Sequence, residues 1–295
     1  MLRTISSSGS SSVRGSTVRP ESARLAQAPI VPAEVQGYVY DAKLRAAELA
    51  REVWRDPAAA ARLEREAAEL QRRFEDAFWV ADRGFYALAL DRDKRQLDSL
   101  TSNIGHLLWS GIVPEERRHT VVDALVGEQL WSGWGVRTMA AGEGAYNPLV
   151  YHNGTVWPHD NSLVAWGLAR AGRRHDAERI LHTMIEAAAD FDYRLPEVFA
   201  GFPRHRTRFP VVYPTASSPQ AWAAATPILL LQIVLGLVPD RAAGALRSDV
   251  TELPEWAGWA RARRRPRVPA LDRHRRRRRR CRRARGFGRS FLVAP

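Results

Sequence analysis

From Glu34 the chain becomes amphipathic with a helical period. VQGYVYDAKLRAAELAREVW puts Val35, Tyr38, Val39, Ala42, Ala46, Leu49 and Val53 on one face, the spacing of a helix with one buried side. Asp56-Pro57 opens a second helix, an N-cap followed by Pro at the first helical position. Its stripe is Leu63, Ala67, Leu70 and Phe74, and it runs to about Phe78. Ala81 to Gly84 turns the chain, and Phe85 to Leu90 reads as a short strand. A third, mostly apolar helix spans Leu100 to Trp109, and Pro114-Glu115 opens a fourth that reaches about Leu130. Trp131 to His159 is a long loop. A fifth helix, apolar nearly all round, runs from Asn161 to Ala171 and ends at Gly172, with Asp160 or Asn161 as its expected cap. The sixth, Asp176 to about Ala189, is amphipathic. A second long loop covers Phe191 to Ser218, and a strongly apolar seventh helix runs from Pro219 to about Leu235. Ala245 to Pro254 reads as a strand or closing segment.

Helices three, five and seven are apolar on most sides, while two, four and six are amphipathic. An inner ring of helices wrapped by an outer ring gives that alternation, with the long loops gathered at one end. The pattern therefore predicts an all-α fold, a toroid of paired helices; an irregular helical bundle is the alternative.

Composition changes this picture only at the ends. The chain has 295 residues, 45% hydrophobic, with ten Trp, enough for a substantial core. Its net charge of +13 is misleading, because residues 261–289 hold sixteen Arg and one Asp. The rest of the chain carries about −2, the difference between 13 and 15. Six successive Arg cannot pack, so residues 260–295 are expected to be a disordered tail with only weak, salt-dependent attraction to polyanions. No aromatic or base-reading residue interleaves the arginines before Phe287, so no specific nucleic-acid partner is expected. Residues 1–28, Ser-rich and without an acidic residue before Glu21, are likewise expected to be disordered. Between them, 29–259 is read as one domain. A single cysteine, Cys281, excludes an internal disulfide and a multi-cysteine metal site. The longest apolar run, Pro227 to Val238, is too short to span a membrane. With no apolar signal core, the expected compartment is the cytoplasm.

Candidate chemistry centres on Tyr146 to Asp160, YNPLVYHNGTVWPHD. Tryptophan faces with fixed amide, imidazole and carboxylate groups suit a sugar ring, whose apolar face stacks while its hydroxyls need donors and acceptors. Tyr146, Asn153, Trp157, His159 and Asp160 are the candidates there. Glu197, in RLPEVFAGFPR with Phe199 and Phe202 near it, is a plausible general base for activating water. Gln220 and Trp222 offer an amide and a stacking ring at the start of the seventh helix. Gln36, Tyr38, Asn103, Trp134 and Arg137 lie near other loop–helix junctions, and each alone reads first as cap or core. His152 and His159 lack a metal-ligand spacing, and no nucleophile elbow or phosphate-cradling glycine loop occurs, so no metal and no cofactor are expected.

YNPLVYHNGTVWPHDNSLVAWGLARAG, LPEVFAGFPR and YPTASSPQAWAAA, in that order, resemble the catalytic half of bacterial amylo-α-1,6-glucosidase or glycogen-debranching-type proteins, which are (α/α)6-toroid glycoside hydrolases. EVQGYVYDAKLRAAELA and DSLTSNIGHLLWSGIV match as well, so the resemblance covers about Ala26 to Trp259. It implies an inverting glycosidase acting on the α-glucosidic bonds of an oligosaccharide or polysaccharide. A general acid and a general base then lie roughly 6.5–9.5 Å apart. Glu197 matches the base; Trp157, His159, Asp160 and Gln220 match sugar-binding positions. The acid should be an Asp just before the Gln36 region. This sequence has no Asp before Asp41 and no Trp before Trp54. A complete toroid has twelve helices, and seven are visible here. The expectation is therefore an incomplete toroid with both ends out of frame and hydrolysis impaired, the alternative being an inactive carbohydrate-binding remnant. Oligomeric state is not legible.

Overall fold

The structure, a computed structural model, describes residues 26–240 and 244–250. All but the last three residues of the Ser-rich segment, and the whole Arg-rich tail, lie outside them.

The chain divides into two compact units at Val234/Leu235. In the first, β1 (Val31–Pro32) leads into α1 (Ala33–Glu52) and α2 (Pro57–Phe78). Four short strands follow: β2 (Trp79–Val80), β3 (Phe85–Tyr86), β4 (Ala89–Leu90) and β5 (Gln96–Leu97). Then come α3 (Asn103–Ser110), α4 (Glu115–Val126), α5 (Pro158–Arg170), α6 (Arg174–Ala189) and α7 (Ala221–Val234). The strands only trim the helices: β2 and β3 form a hairpin, and β4 pairs antiparallel with β1 and β5. The second unit is described only as a hairpin of β6 (Leu237–Asp240) and β7 (Ala245–Ser248).

Helix packing bears out the alternation. α1, α3, α5 and α7 pack side by side in that order, while α2 backs α1, α4 backs α3, and α6 covers α5 and α7. This is a partial α/α toroid. The inner helices approach closely where side chains vanish. A Cβ on Gly167 would stand 2.5 Å from the Gly105 carbonyl oxygen, so α5 and α3 touch backbone to backbone. Around this contact Ile104, Leu107, Val164 and Leu168 are buried, each worth roughly 1.5–3 kcal/mol relative to exposure. Phe74, Phe78 and Tyr86 stack at 4.8 and 5.0 Å under the hairpin.

Local signals set several boundaries. Asp56 Oδ1 accepts the Ala59 N–H at 2.9 Å, the cap expected ahead of Pro57. α5 starts three residues before the expected Asn161, because Pro158 supplies the first helical φ. Asp160 therefore lies in the first turn and is not a cap. Asn161, fully buried, bonds the Val136 backbone N–H and C=O at 2.7 and 3.0 Å.

The expected buried face of α1 differs. Val35, Val39, Leu49 and Val53 are 47, 41, 47 and 63% exposed. α1 instead packs through Ala33, Gly37, Ala47 and Ala50, and a Cβ on Gly37 would meet Ser110 Oγ at 2.6 Å. Close approach by small residues outweighs the hydropathy stripe here.

Candidate active site

The N-terminal ends of α1, α3 and α5 converge, and a row of polar side chains joins them. Asn103, first residue of α3, donates to Glu34 Oε2 in the first turn of α1. The Tyr38 hydroxyl, one turn along α1, donates to Glu34 Oε1. His106 of α3 places Nδ1 2.7 Å from that hydroxyl and Nε2 2.6 Å from Asp160 Oδ1, in the first turn of α5. The helix N-terminus favours a carboxylate at Asp160. Its Oδ2 is buried and has no hydrogen-bond partner among the described residues.

His106 is only 6% exposed. Burial alone would strip its proton, but the hydrogen bond and charge of Asp160, with the charge of Glu34, outweigh that and hold its pKa above the usual imidazole value. His159, on the next step of α5, goes the other way: burial lowers its pKa, with Asp160 opposing only partly.

The two long loops form the other half of the site. A ladder of isolated bridges runs Arg137↔Val156↔Phe199↔Val212, so the loop ahead of α5 and the loop ahead of α7 are knitted together. Val156 and Phe199 exchange both backbone bonds, at 2.9 and 3.0 Å. Where the loops cross, a Cβ on Gly201 would lie 1.6 Å from the Gly154 carbonyl oxygen, a position that admits only glycine.

Glu197 stands two residues before Phe199 on this ladder and is 9% exposed. Its Oε1 accepts from the Tyr151 hydroxyl at 2.6 Å and its Oε2 from the Ser217 N–H at 3.1 Å. Burial, the largest influence, pushes its pKa up. The bonds from Tyr151, Ser217 and the Gln220 amide, with nearby His152, more than reverse this and leave the carboxyl below the usual range. Tyr151 is pushed up to about 12, by burial and then by Glu197. Glu197 is thus held ionised at neutral pH. Gln220 spends its N–H on Glu197, and its Oε1 is buried without a partner among the described residues.

Aromatic rings bridge the two halves. Trp157 sits 4.7 Å from Tyr151, edge to face, and His152 stacks on Trp157 at 5.6 Å. His159 stacks on Trp222 at 4.4 Å, and Trp222 meets Trp157 edge-on at 6.4 Å. The indole N–H of Trp157 is spent on Tyr151 O and Thr155 Oγ1, and the ring itself is buried, 8% exposed. Trp222, stacked on His159, remains 44% exposed.

Of the residues expected at the site, Glu197, Trp157, His159, Asp160, Gln220 and Trp222 come together here. Tyr38 and Asn103 join them through Glu34 and His106. The others are engaged in scaffold. Gln36 donates to Pro32 O at 3.4 Å in the first turn of α1. Arg137 is 2% exposed and bonds the carbonyls of Gly201, Glu128 and Gln129 at 2.8, 3.2 and 3.0 Å. Tyr146 reaches Gly201 O at 3.4 Å, Asn153 reaches Ala145 O at 3.2 Å, and Trp134 donates to Thr207 Oγ1 at 3.4 Å under the Arg204 guanidinium. Sequence reasoning missed Glu34, His106, Tyr151 and Ser217. His106 alone left a trace, as the one ionisable residue in the apolar stretch NIGHLLW. Among the described residues no group of three His, Cys, Asp or Glu is disposed to hold a metal ion. No described helix is long and apolar enough to cross a membrane.

Comparison with known proteins adds the following. The family model described as the mannosylglycerate hydrolase MGH1-like glycoside hydrolase domain matches residues 6–200, which includes Glu197 but stops short of Gln220 and Trp222. No curated protein matches the chain in sequence. Among solved structures, the GH63 mannosylglycerate hydrolase from Thermus thermophilus, in complex with glucose, superposes with a TM-score of 0.56 at 18% identity. That match covers 69% of this chain and 45% of the other. The neutral trehalase from Saccharomyces cerevisiae gives 0.55 at 17% identity, covering 69% and 38%. These likenesses establish the fold, and the chain spans less than half the length of either structure.

Proposed function

The chain belongs to the mannosylglycerate hydrolase MGH1-like glycoside hydrolases, and on that premise we propose that its site binds one hexose of an α-linked glycoside and hydrolyses the bond with inversion. Glu197 is the general base. Ionised and held at both oxygens, it takes a proton from the attacking water. Trp222, braced edge-on by Trp157, meets the sugar ring, and Asp160 Oδ2 and Gln220 Oε1 accept from its hydroxyls.

The observation that carries this reading is the pair of buried, unpartnered acceptors. A buried acceptor left unpaired costs about 1–3 kcal/mol, and two at one site ask for a ligand with donors at both places. A sugar has them. The substrate class rests on the family and on the relatives' names: a small α-hexoside such as mannosylglycerate fits them best. The amylo-α-1,6-glucosidase reading rests on the sequence motifs alone, from EVQGYVYDAKLRAAELA to YPTASSPQAWAAA. The partner is thus a carbohydrate. No residue is assigned as general acid: the resemblance expects an Asp just before Gln36, and residues 1–35 hold none. The chain should therefore be slow on poor leaving groups, for which proton donation contributes about 10²–10⁴-fold.

The test is sugar release by the purified chain, beside Glu197→Gln, from mannosylglycerate, trehalose, maltose, isomaltose and a branched dextrin. Release from one substrate that vanishes in the variant supports Glu197 as base and names the linkage. Release equal in both removes Glu197 from that role. Binding without release in either leaves a carbohydrate-binding site whose acid is absent.

A further inference from the structure

We infer that His106 is a positioning residue, and that it holds Asp160 ready for the sugar only as a doubly protonated imidazolium clamped between α5 and α1. The inference rests on the sugar-site reading above and concerns its regulation by pH.

A count of protons carries it. Asp160, His106, Tyr38 and Glu34 stand in a row joined by three hydrogen bonds. Three bonds need three protons. Tyr38 owns one and a neutral imidazole owns one. With a carboxylate at each end, the third must be the second ring proton. The far end is closed, because Glu34 also accepts from Asn103 and lies 3.6 Å from His106 Nδ1. At the near end, Asp160 Oδ1 is spent on the ring, which leaves Oδ2 as the acceptor for a sugar hydroxyl.

Loss of the Nδ1 proton breaks this row. The single Tyr38 proton must then serve either Glu34 or the ring, and Asp160 faces a neutral N–H in place of a cation. The bond stays charge-assisted through its carboxylate acceptor but loses the attraction of the cation. Among the described residues the charges acting on the ring are Asp160 from α5 and Glu34 from α1. Tyr38 of α1 and His159 of α5 are the neighbouring titratable groups, and α4, the third helix against α3, contributes none. The charged state is favoured over free imidazole, so the loss comes on the alkaline side.

The experiment uses the full chain with ¹⁵N-labelled histidine. His106 ring nitrogens are followed by NMR as pH rises, with the signal assigned by its loss in His106→Asn. Glucose is the probe, and its affinity is read by tryptophan fluorescence at each pH. We expect both ring nitrogens protonated at neutral pH and a lower titration midpoint in Asp160→Asn. Glucose affinity should fall about tenfold as pH passes that midpoint, the worth of one hydrogen bond to a charged group. The fall should be absent in His106→Asn. If that variant does not fold, His106→Gln, whose amide keeps one donor toward Asp160, replaces it. A ring neutral at pH 7, a midpoint unmoved by Asp160→Asn, or an unchanged pH dependence in the His106 variants overturns the inference. No glucose binding at any pH, with the charged ring seen as expected, sinks the sugar reading and leaves the clamp standing.

Discussion

Asp160 sits in the first turn of α5 and shares its one fixed hydrogen bond with the His106 imidazole of a neighbouring helix, whose pKa is held above the usual value. Glu197 sits in a loop and takes its bonds from a phenol, a main-chain N–H and an amide. Both carboxylates are largely buried, yet the solutions differ in what they depend on. Neutral donors hold the Glu197 pKa below the usual carboxylate range, which suits the base role proposed for it. A cationic donor ties Asp160 to the protonation of one ring, which suits a group that must stay in place. The loop solution also needs its own scaffold, the bridges from Arg137 to Val212, whereas Asp160 inherits rigidity from its helix.

Four changes would break or sharpen this contrast. The largest effect is expected from Glu197→Gln, which should cut sugar release about 10²–10⁴-fold while leaving binding intact. A comparable loss of binding would mean that Glu197 holds sugar and does not activate water. Asp160→Asn comes next. It should weaken sugar affinity by about tenfold through loss of an ionised acceptor, with little change in the acid limb of the pH–rate profile. Tyr151→Phe should act only on that limb, shifting it to higher pH, because one of the bonds that depress the Glu197 pKa is removed. A limb that stays still would show that Ser217 and Gln220 suffice.

The smallest effect concerns stability alone. His106 has a folded-state pKa above its unfolded value, so its contribution is complete below the unfolded pKa and is lost as pH rises through the raised one. Urea midpoints should therefore fall on the alkaline side for the native chain and stay flat over the same window for His106→Asn. Glu197 has the opposite sign. Its depressed pKa stabilises above the unfolded carboxylate value and is lost as pH falls through the folded one.

Much of the helical frame was legible because 3.6-residue periodicity reports burial directly. It failed at α1, where the stripe of Val35, Val39, Leu49 and Val53 faces out and Gly37, Ala47 and Ala50 face in. Hydropathy has no signal for a contact made by absence of side chain. The same limit holds for the site. Glu197, Trp157, Asp160 and Gln220 stood out because their neighbours in sequence are unusual. Glu34 looked like an ordinary first-turn acid, and Tyr151 like part of an aromatic loop. Their partners lie far along the chain: His106 is 68 residues from Tyr38 and 54 from Asp160, and Tyr151 is 46 from Glu197. Such roles exist only once the helix ends meet.

Gly201 has a consequence for how this chain can change over time. Where the two loops cross, no side chain of any size fits against Gly154. The segment bearing Glu197 and the segment leading to Trp157 therefore cannot drift apart in composition at that point, whatever happens to the sugar each comes to prefer. In a saturation library selected only for soluble, folded protein, position 201 should return glycine almost exclusively, while exposed Trp222 varies freely. Selection for sugar capture should then freeze Trp222 and leave the outcome at 201 as it was, separating residues that build the cleft from those that choose its guest.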